Sequence, residues 1–416
     1  MIRYFDLLRA RPHFRNLWLA RVVSLTGDWF NTIAAVILIS RYTDSGLAVG
    51  GLFLARALPP FVFGPLAGIV ADRFNRKYVL IAADLLRAVI VLGFLWVDRP
   101  ERAWLLFALS VAQFTVSSFF DPALGAIIPG LVAEDELITA STLSSTTWSA
   151  MLALGAVIGG ATTAAFGARA ALIIDSLSFV VSAMLVFSVA YAPRGGRHTA
   201  HGNPWAEFLA GLGYVRENPK VGIVTLVKAM GQVGSVDIVA AMYAERIFRV
   251  GEDGALTLGL MFAFFGVGAV IGPLIGNAVG VRTARNLQLA IIAGYLCLPF
   301  GWLIIGLAPA LPLVLVGVTL RGMGGSINWT YSDVLLQLST PDKFLGRVFA
   351  LDFGLFTLAM SASVWFTGAA IDRFALDPRA VAVAFGAGSL VPLTLWAIST
   401  RALRMGEDQK PIAETV

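Results

Sequence analysis

The chain is 416 residues long, 57% of them hydrophobic and only 14% charged, with a formal net charge of +5 and a mean hydropathy of +0.79. A water-soluble protein of this size needs a far more charged surface, so most of this surface must face lipid. The single cysteine, Cys297, excludes an internal disulfide, and His13, His198 and His201 all lie in polar segments, which excludes a histidine-held metal or haem at membrane depth.

The first residues are charged throughout (Arg3, Asp6, Arg9, Arg11, Arg15), and no cleavable signal peptide is expected. A bilayer core about 30 Å thick takes about 20 apolar residues in a helix. Twelve runs satisfy that length: 17–40, 47–71, 78–97, 103–131, 138–166, 168–191, 221–244, 255–279, 285–308, 311–337, 345–371 and 379–403. Several are longer than needed, so tilt or kinks are expected, with Pro59, Pro60, Pro122, Pro129, Pro273 and Pro299 as kink candidates. Runs five and six, and runs nine and ten, are nearly fused.

The longest polar interruption, 192–220, follows run six. It reads as a cytoplasmic linker between an N-terminal six-helix half, 1–191, and a C-terminal half with its tail, 221–416. Within it Trp205 to Val215 has apolar residues at helical spacing, suited to the membrane surface. With both termini on one side, that side carries 18 Lys and Arg against 8 on the other. The positive-inside rule therefore puts both termini in the cytoplasm. The same asymmetry accounts for the basic balance, and no nucleic-acid partner is expected. An internal repeat supports two halves: Gly64-Pro65-Leu66-Ala67-Gly68 ends run two and Gly272-Pro273-Leu274-Ile275-Gly276 ends run eight, 208 residues on. The expected architecture is an all-α membrane protein of twelve transmembrane helices in two pseudo-symmetric six-helix halves, a known transporter plan.

Gly68-Ile69-Val70-Ala71-Asp72-Arg73-Phe74-Asn75-Arg76-Lys77 resembles the signature loop between helices two and three of the major facilitator superfamily, with Asn75 in a glycine place. Asparagine tolerates a left-handed backbone better than most residues. The resemblance implies a latch of Asp72, Arg73 and Arg76: Asp72 would face the N-terminus of helix eleven, and Arg76 would pair with an inner acid of helix four, for which Asp121 is the candidate. Other stretches resemble exporters related to macrolide efflux pumps and the enterobactin exporter, among them Phe14-Arg15-Asn16-Leu17-Trp18, Gly27-Asp28, Phe119-Phe120-Asp121-Pro122-Ala123 and Ile174-Asp175-Ser176-Leu177-Ser178. Gly155 to Gly160 resembles a glycine-rich antiporter motif without its proline. These likenesses imply an exporter of the bacterial inner (plasma) membrane.

Twelve ionisable residues fall inside the runs. Each costs about 2.5–3.5 kcal/mol at a helix centre and needs a partner or water. Asp28, Asp121 and Asp237 are the candidates for proton coupling; Asp28 is open between that role and a permanent pair with an arginine. Asp84 and Arg87 stand three apart and suit a pair within one helix. Asp175, beside two serines, reads as structural. Asp333, Arg347 and Asp352 read as an inner gate. Arg56 either snorkels outward or pairs with Asp237. Arg21, Trp29, Arg56, Phe120, Lys228, Arg321 and Trp329 are the candidates to line a substrate cavity.

The expected function is proton-antiport export of apolar or amphiphilic small molecules of drug or siderophore type by alternating access. The alternative is a lipid or lysolipid flippase on the same fold. No Walker loop is present, so ATP drive is not expected. No enzyme activity, no metal and no cofactor are expected. The partners are a small-molecule substrate, protons and the lipid bilayer, and one chain is expected to work as a monomer.

Overall fold

The structure is a computed structural model that describes residues 2–133, 136–191, 212–278 and 283–403. Its helices, in chain order, are α1 (Ile2–Ala10), α2 (Pro12–Tyr42), α3 (Gly46–Arg73), α4 (Arg76–Gly93), α5 (Trp104–Ser117), α6 (Phe120–Ile127), α7 (Leu137–Phe187), α8 (Pro219–Met230), α9 (Val236–Arg246), α10 (Ala255–Ala278), α11 (Ala284–Leu307), α12 (Leu311–Ser339), α13 (Asp342–Arg373), α14 (Pro378–Gly388) and α15 (Leu390–Leu403). No strand occurs among the described residues. Most of each of the twelve apolar runs falls on helical backbone.

Among the described residues, nine stretches are long and apolar enough to cross a membrane. One of them, Thr139–Phe187, has 49 residues, which at 1.5 Å each is about 73 Å of helix and room for two crossings. Gly167 divides it, at φ 79° and ψ 164°, a conformation open essentially to glycine alone. Runs seven and ten lie outside the nine. Run seven is interrupted between α8 and α9, and run ten (α12) is made polar along its middle by Arg321, Ser326 and Asn328.

Pro122 stands in the first turn of α6, just after the interruption at 118–119, and Pro129 lies in the 3-10 turn that ends that helix. Pro273 and Pro299 lie inside continuous α10 and α11. Two further interruptions, at 231–235 and 389, contain no proline. Starts are set by side-chain caps. Ser45 accepts from the Ala48 N–H, Thr283 from Asn286 and Asp377 from Arg379.

The chain divides into two compact units, Met1–His201 with Tyr243–Ala263, and Gly202–Met242 with Phe264–Val416. In the first, Phe14, Leu17, Leu80, Phe120 and Ile127 form a buried core. Glycines let its helices close on one another. A methyl on Gly159 would stand 3.0 Å from Trp29 O, and one on Gly160 would stand 2.9 Å from the Gly259 Cα. In the second unit, Val224, Leu287, Tyr295, Leu298 and Trp396 form the corresponding core. There α11 and α12 meet glycine to backbone: a methyl on Gly301 would stand 2.8 Å from Gly317 O.

Gly234 sits in the interruption between α8 and α9 at φ 80°, with Phe385 against it and the Trp302 ring 2.8 Å from where a Cβ would be. Gly234→Ala combines a left-handed strain of about 1–2 kcal/mol with overpacking of about 1–3 kcal/mol. A clear drop in the melting temperature of the purified protein is expected, partly recovered by adding Phe385→Ala. An unchanged melt would show that the interruption is free to rearrange.

Candidate functional site

The first unit brings five ionisable side chains from four helices together. Asp28 projects from the middle of α2, Arg56 from α3, Asp84 and Arg87 from α4, and Asp175 from the second arm of α7. Asp84 and Arg87 are fully buried and bonded to each other, as their spacing predicts. Ser182 donates to the other oxygen of Asp84 at 2.6 Å, and the Arg87 guanidinium lies 4.3 Å from the Phe179 ring and 4.6 Å from the Phe120 ring. Arg56 is buried, not snorkelled: it donates to Asn31 Oδ1 at 2.9 Å and to Thr32 Oγ1, and stacks 4.6 Å over Phe114.

Two further carboxyls of the cluster have no bonded counter-ion among the described residues. Asp175 is fully buried and makes no ion pair among the described residues; the Asn31 amide is its polar neighbour, too poorly placed for a well-formed hydrogen bond. The serines beside it do not serve it: Ser178 donates to the backbone carbonyl of Asp175 and Ser176 to that of Ala88. Its electrostatic neighbours are Asp28, Arg87 and Arg56. Asp28 likewise makes no ion pair among the described residues; it feels Arg87, Arg56 and, from its own helix, Arg21, with Asp121 acting the other way. The permanent Asp28–arginine pair held open by the sequence is therefore absent. Gly27 brings the two acids close, because its bare Cα lies against the Asp175 carboxyl, with Oδ1 only 2.6 Å from where a Cβ would be. The cluster holds three acids and two bases. One negative charge is uncompensated at membrane depth, and one proton neutralises it.

The signature loop is arranged differently from the expectation. Asn75 is not left-handed: at φ −64° it caps α4, its side chain accepting from the Lys77 N–H. Arg76 donates to Ala126 O at 2.7 Å and lies 3.3 Å from the Tyr191 hydroxyl. Asp121 is held by Arg21 at 2.7 Å, so the predicted Arg76–Asp121 pair is not formed. The reason is geometric: Asp121 stands in the first turn of α6, one helical turn and more from Ala126, and Arg21 of α2 reaches it first. Arg21 is bonded to Asp121 and lies 5.6 Å from the Phe120 ring, and it acts on Asp28, two turns along its own helix, only through space. Arg73 is exposed at the end of α3, and the Asp72 side chain lies outside the described residues. The helix reading over Trp205 to Val215 lies mostly outside them too.

One further charged group was not foreseen. Arg41, at the end of α2, bridges Glu252 and Asp253, each at 2.5 Å; Arg249 also holds Asp253, and Arg246 donates to Asp44 O. These bonds fasten the turn before α10 to the end of α2.

In the second unit Lys228, in the last turn of α8, is bonded at 2.5 Å to both Asp333 of α12 and Asp352 of α13. Its ammonium lies 4.4 Å from the Trp329 ring. The predicted gate of Asp333, Arg347 and Asp352 is thus corrected in its cation. Lys228 joins the two acids, while Arg347 turns to the Phe344 ring, 5.7 Å away. Arg347 precedes Asp352 by five residues, which points the two to different faces of α13. Arg321 is buried; it donates to Gly231 O at 2.9 Å and has Asp237 as its electrostatic counterpart. Of the aromatic candidates, Trp29 packs against Phe262 at 5.3 Å in the first unit, and Trp329 against Phe356 at 5.0 Å in the second. Trp329 is partly exposed and Phe120 fully buried in the core.

Charged side chains thus lie buried on apolar helices in both units. The family model for the Major Facilitator Superfamily matches residues 17–364. The chain belongs to the major facilitator superfamily. It is 25% identical over 372 residues to macrolide efflux protein A of Streptococcus pyogenes, covering 88% of this chain and 90% of that one. It is 25% identical over 350 residues to the enterobactin exporter EntS of Escherichia coli O1:K1 / APEC, covering 82% and 81%. The crystal structure of the nucleoside transporter NupG shares its fold, with a TM-score of 0.71 at 11% identity over 93% of this chain and 98% of that one. This chain is therefore a multi-pass membrane protein of a transporter family, with exporter-type relatives. Its superfamily membership agrees with the likeness carried by Gly68 to Lys77.

Proposed function

We propose that this chain exports apolar or amphiphilic small molecules across the bacterial inner membrane by proton antiport, working as a monomer with both termini in the cytoplasm. The observation that carries the reading is the Asp28–Asp175 pair: two carboxyls at membrane depth, without a bonded counter-ion, in a cluster that lacks one positive charge. Such a pair holds a proton readily and releases it where water or a cationic group reaches it. Relatives named for macrolide and enterobactin export support the direction and the substrate type. They lend nothing to the lipid-flippase alternative. In this reading Asp28 is the coupling acid that substrate and water reach, Asp175 is its buried partner, and Asp121 and Asp237 serve Arg21 and Arg321.

The test uses full-length protein in liposomes with an imposed pH difference and a fluorescent amphiphilic dye. Each pH unit is worth about 1.4 kcal/mol per proton, which supports up to about a tenfold dye gradient in one-to-one exchange. Uphill dye movement that a protonophore collapses is expected. Dye movement that follows only its own gradient, at every imposed pH difference, would defeat antiport.

A further inference from the structure

The second unit contains a charge cluster that the coupling pair in the first unit does not need. Among the described residues Lys228 is its only bonded cation, and it is shared by two carboxylates, Asp333 Oδ1 and Asp352 Oδ2, each at 2.5 Å. The three side chains differ in access: those of Lys228 and Asp352 are 4% and 1% exposed, that of Asp333 26%. The second oxygen of Asp352 is buried and has no hydrogen-bond partner among the described residues. We propose that Asp352 is a second proton-carrying residue, taking up one proton as the carboxylic acid while Lys228 stays paired with Asp333. The proposal rests on the antiport reading above and extends it to the other unit.

The argument is one of charge and place. One ammonium between two carboxylates leaves a net negative charge, and a buried charge without compensation costs several kcal/mol, on the order of what drives a group to neutralise itself. A proton on either acid removes that charge. Asp333 keeps contact with solvent and is the cheaper of the two to leave ionised. Asp352 is dry, with an oxygen that nothing else serves, so its charge is the costlier one. Among the described residues no other cation is bonded to either acid. Neither acid bridges any base but Lys228 among the described residues, Arg321 on α12 is turned to Gly231 O, and Arg347 on α13 is turned to Phe344. Lys220 of α8, Arg285 of α11 and Arg379 of α14 stand in the first turns of their helices. Asp372 and Arg373 stand in the last turn of α13. The side chains of Asp342 and Lys343 on α13 and of Arg401 on α15 lie outside the described residues.

The consequence for motion follows from the position of Lys228. It is two residues before the end of α8, and the chain between α8 and α9 is interrupted at 231–235. The bonds from Lys228 tie that helix end to α12 and α13. Protonation of Asp352 on its unbonded oxygen replaces an ammonium–carboxylate ion pair with a weaker hydrogen bond from the ammonium to a neutral carboxylic acid, in which only the donor keeps its charge. The tie to α13 weakens while the tie to α12 remains, and α8 can pivot about the interruption. Proton release restores both. No covalent bond between heavy atoms changes: a carboxylate takes up a proton from water on one side and returns it on the other.

The experiment is infrared difference spectroscopy of the purified full-length protein between high and low pH. Asp28→Asn and Asp175→Asn are introduced together to silence the first cluster. One protonated-carboxyl band that grows as pH falls is expected to remain. It should vanish in a further Asp352→Asn variant. It should also vanish in Asp333→Asn, because the remaining one-to-one pair is neutral and has no need of a proton. Asp333 is partly exposed, so that variant is informative even where Asp352→Asn fails to fold. A band that survives either substitution in folded protein overturns the proposal. Transport separates this result from the antiport reading. Gradient-driven transport absent in the wild type, with the band intact, would sink antiport alone. Gradient-driven transport with the same pH profile in Asp352→Asn as in wild type, with a surviving band, would sink this inference alone.

Discussion

Asp28→Asn is expected to abolish uphill, pH-driven dye transport while downhill exchange continues. The reason is the charge balance of the first cluster. With Asp28 neutral, Asp84 and Asp175 face Arg56 and Arg87, two acids to two bases. The cluster no longer needs a proton, and no pH difference can be spent through it. The dye ratio should fall from as much as about tenfold per pH unit to about unity. Asp175→Asn removes the same charge and should have the same effect, and the double variant should add nothing, since a shared proton can be lost only once. Asp84→Asn is the contrasting case. Asp84 is bonded to Arg87 and Ser182, so its loss leaves a buried guanidinium unpaired and should lower the melting temperature as well as the rate. Uphill transport that persists in Asp28→Asn at the wild-type ratio would exclude this cluster as the coupling site.

Lys228→Met is expected to be the most destabilising single change in the second unit. It leaves Asp352, buried, and Asp333, partly buried, facing each other without the ammonium that bridges them. Removing one partner of a buried ion pair costs about 3–5 kcal/mol, more than the pair itself adds over an apolar replacement. The contact of the ammonium with the Trp329 ring is lost as well. The melting temperature should drop sharply at neutral pH and recover at low pH, where both acids carry protons. Lys228→Met combined with Asp333→Asn and Asp352→Asn should regain most of the loss, because no uncompensated charge remains. A single variant as stable as wild type at neutral pH would mean that water reaches the triad and screens it.

Much of the fold could be read along the chain. Twelve apolar runs, Gly167 at the joint of two of them and Asp84 with Arg87 on one helix face are local patterns that depend on length, backbone freedom and helical spacing. The loop from Gly68 to Lys77 was recognisable because its residues are adjacent. The partners of the membrane-depth charges were not legible in this way. Arg21 and Asp121 lie far apart in the chain, and Lys228 and Asp333 are separated by 105 positions; nothing in their spacing says that they meet. Asp175 was read as structural because serines stand beside it, yet those hydroxyls turn to backbone carbonyls, as Ser and Thr in apolar helices commonly do. The signal that could have flagged it was an acid deep in an apolar run with no base three or four residues away.

By itself the sequence determined that this protein lives in a bilayer, that it is helical and that it resembles a transporter family, because lipid leaves a long apolar chain no other way to satisfy its backbone. Which acids keep their charge and which are left to take a proton was decided only by the tertiary structure. Helix packing chooses the partners: glycine contacts press the Asp28 and Asp175 helices together, and Arg21 finds its bonded partner in Asp121. An ion pair is a matter of a few ångströms, and those distances exist only once the helices have met.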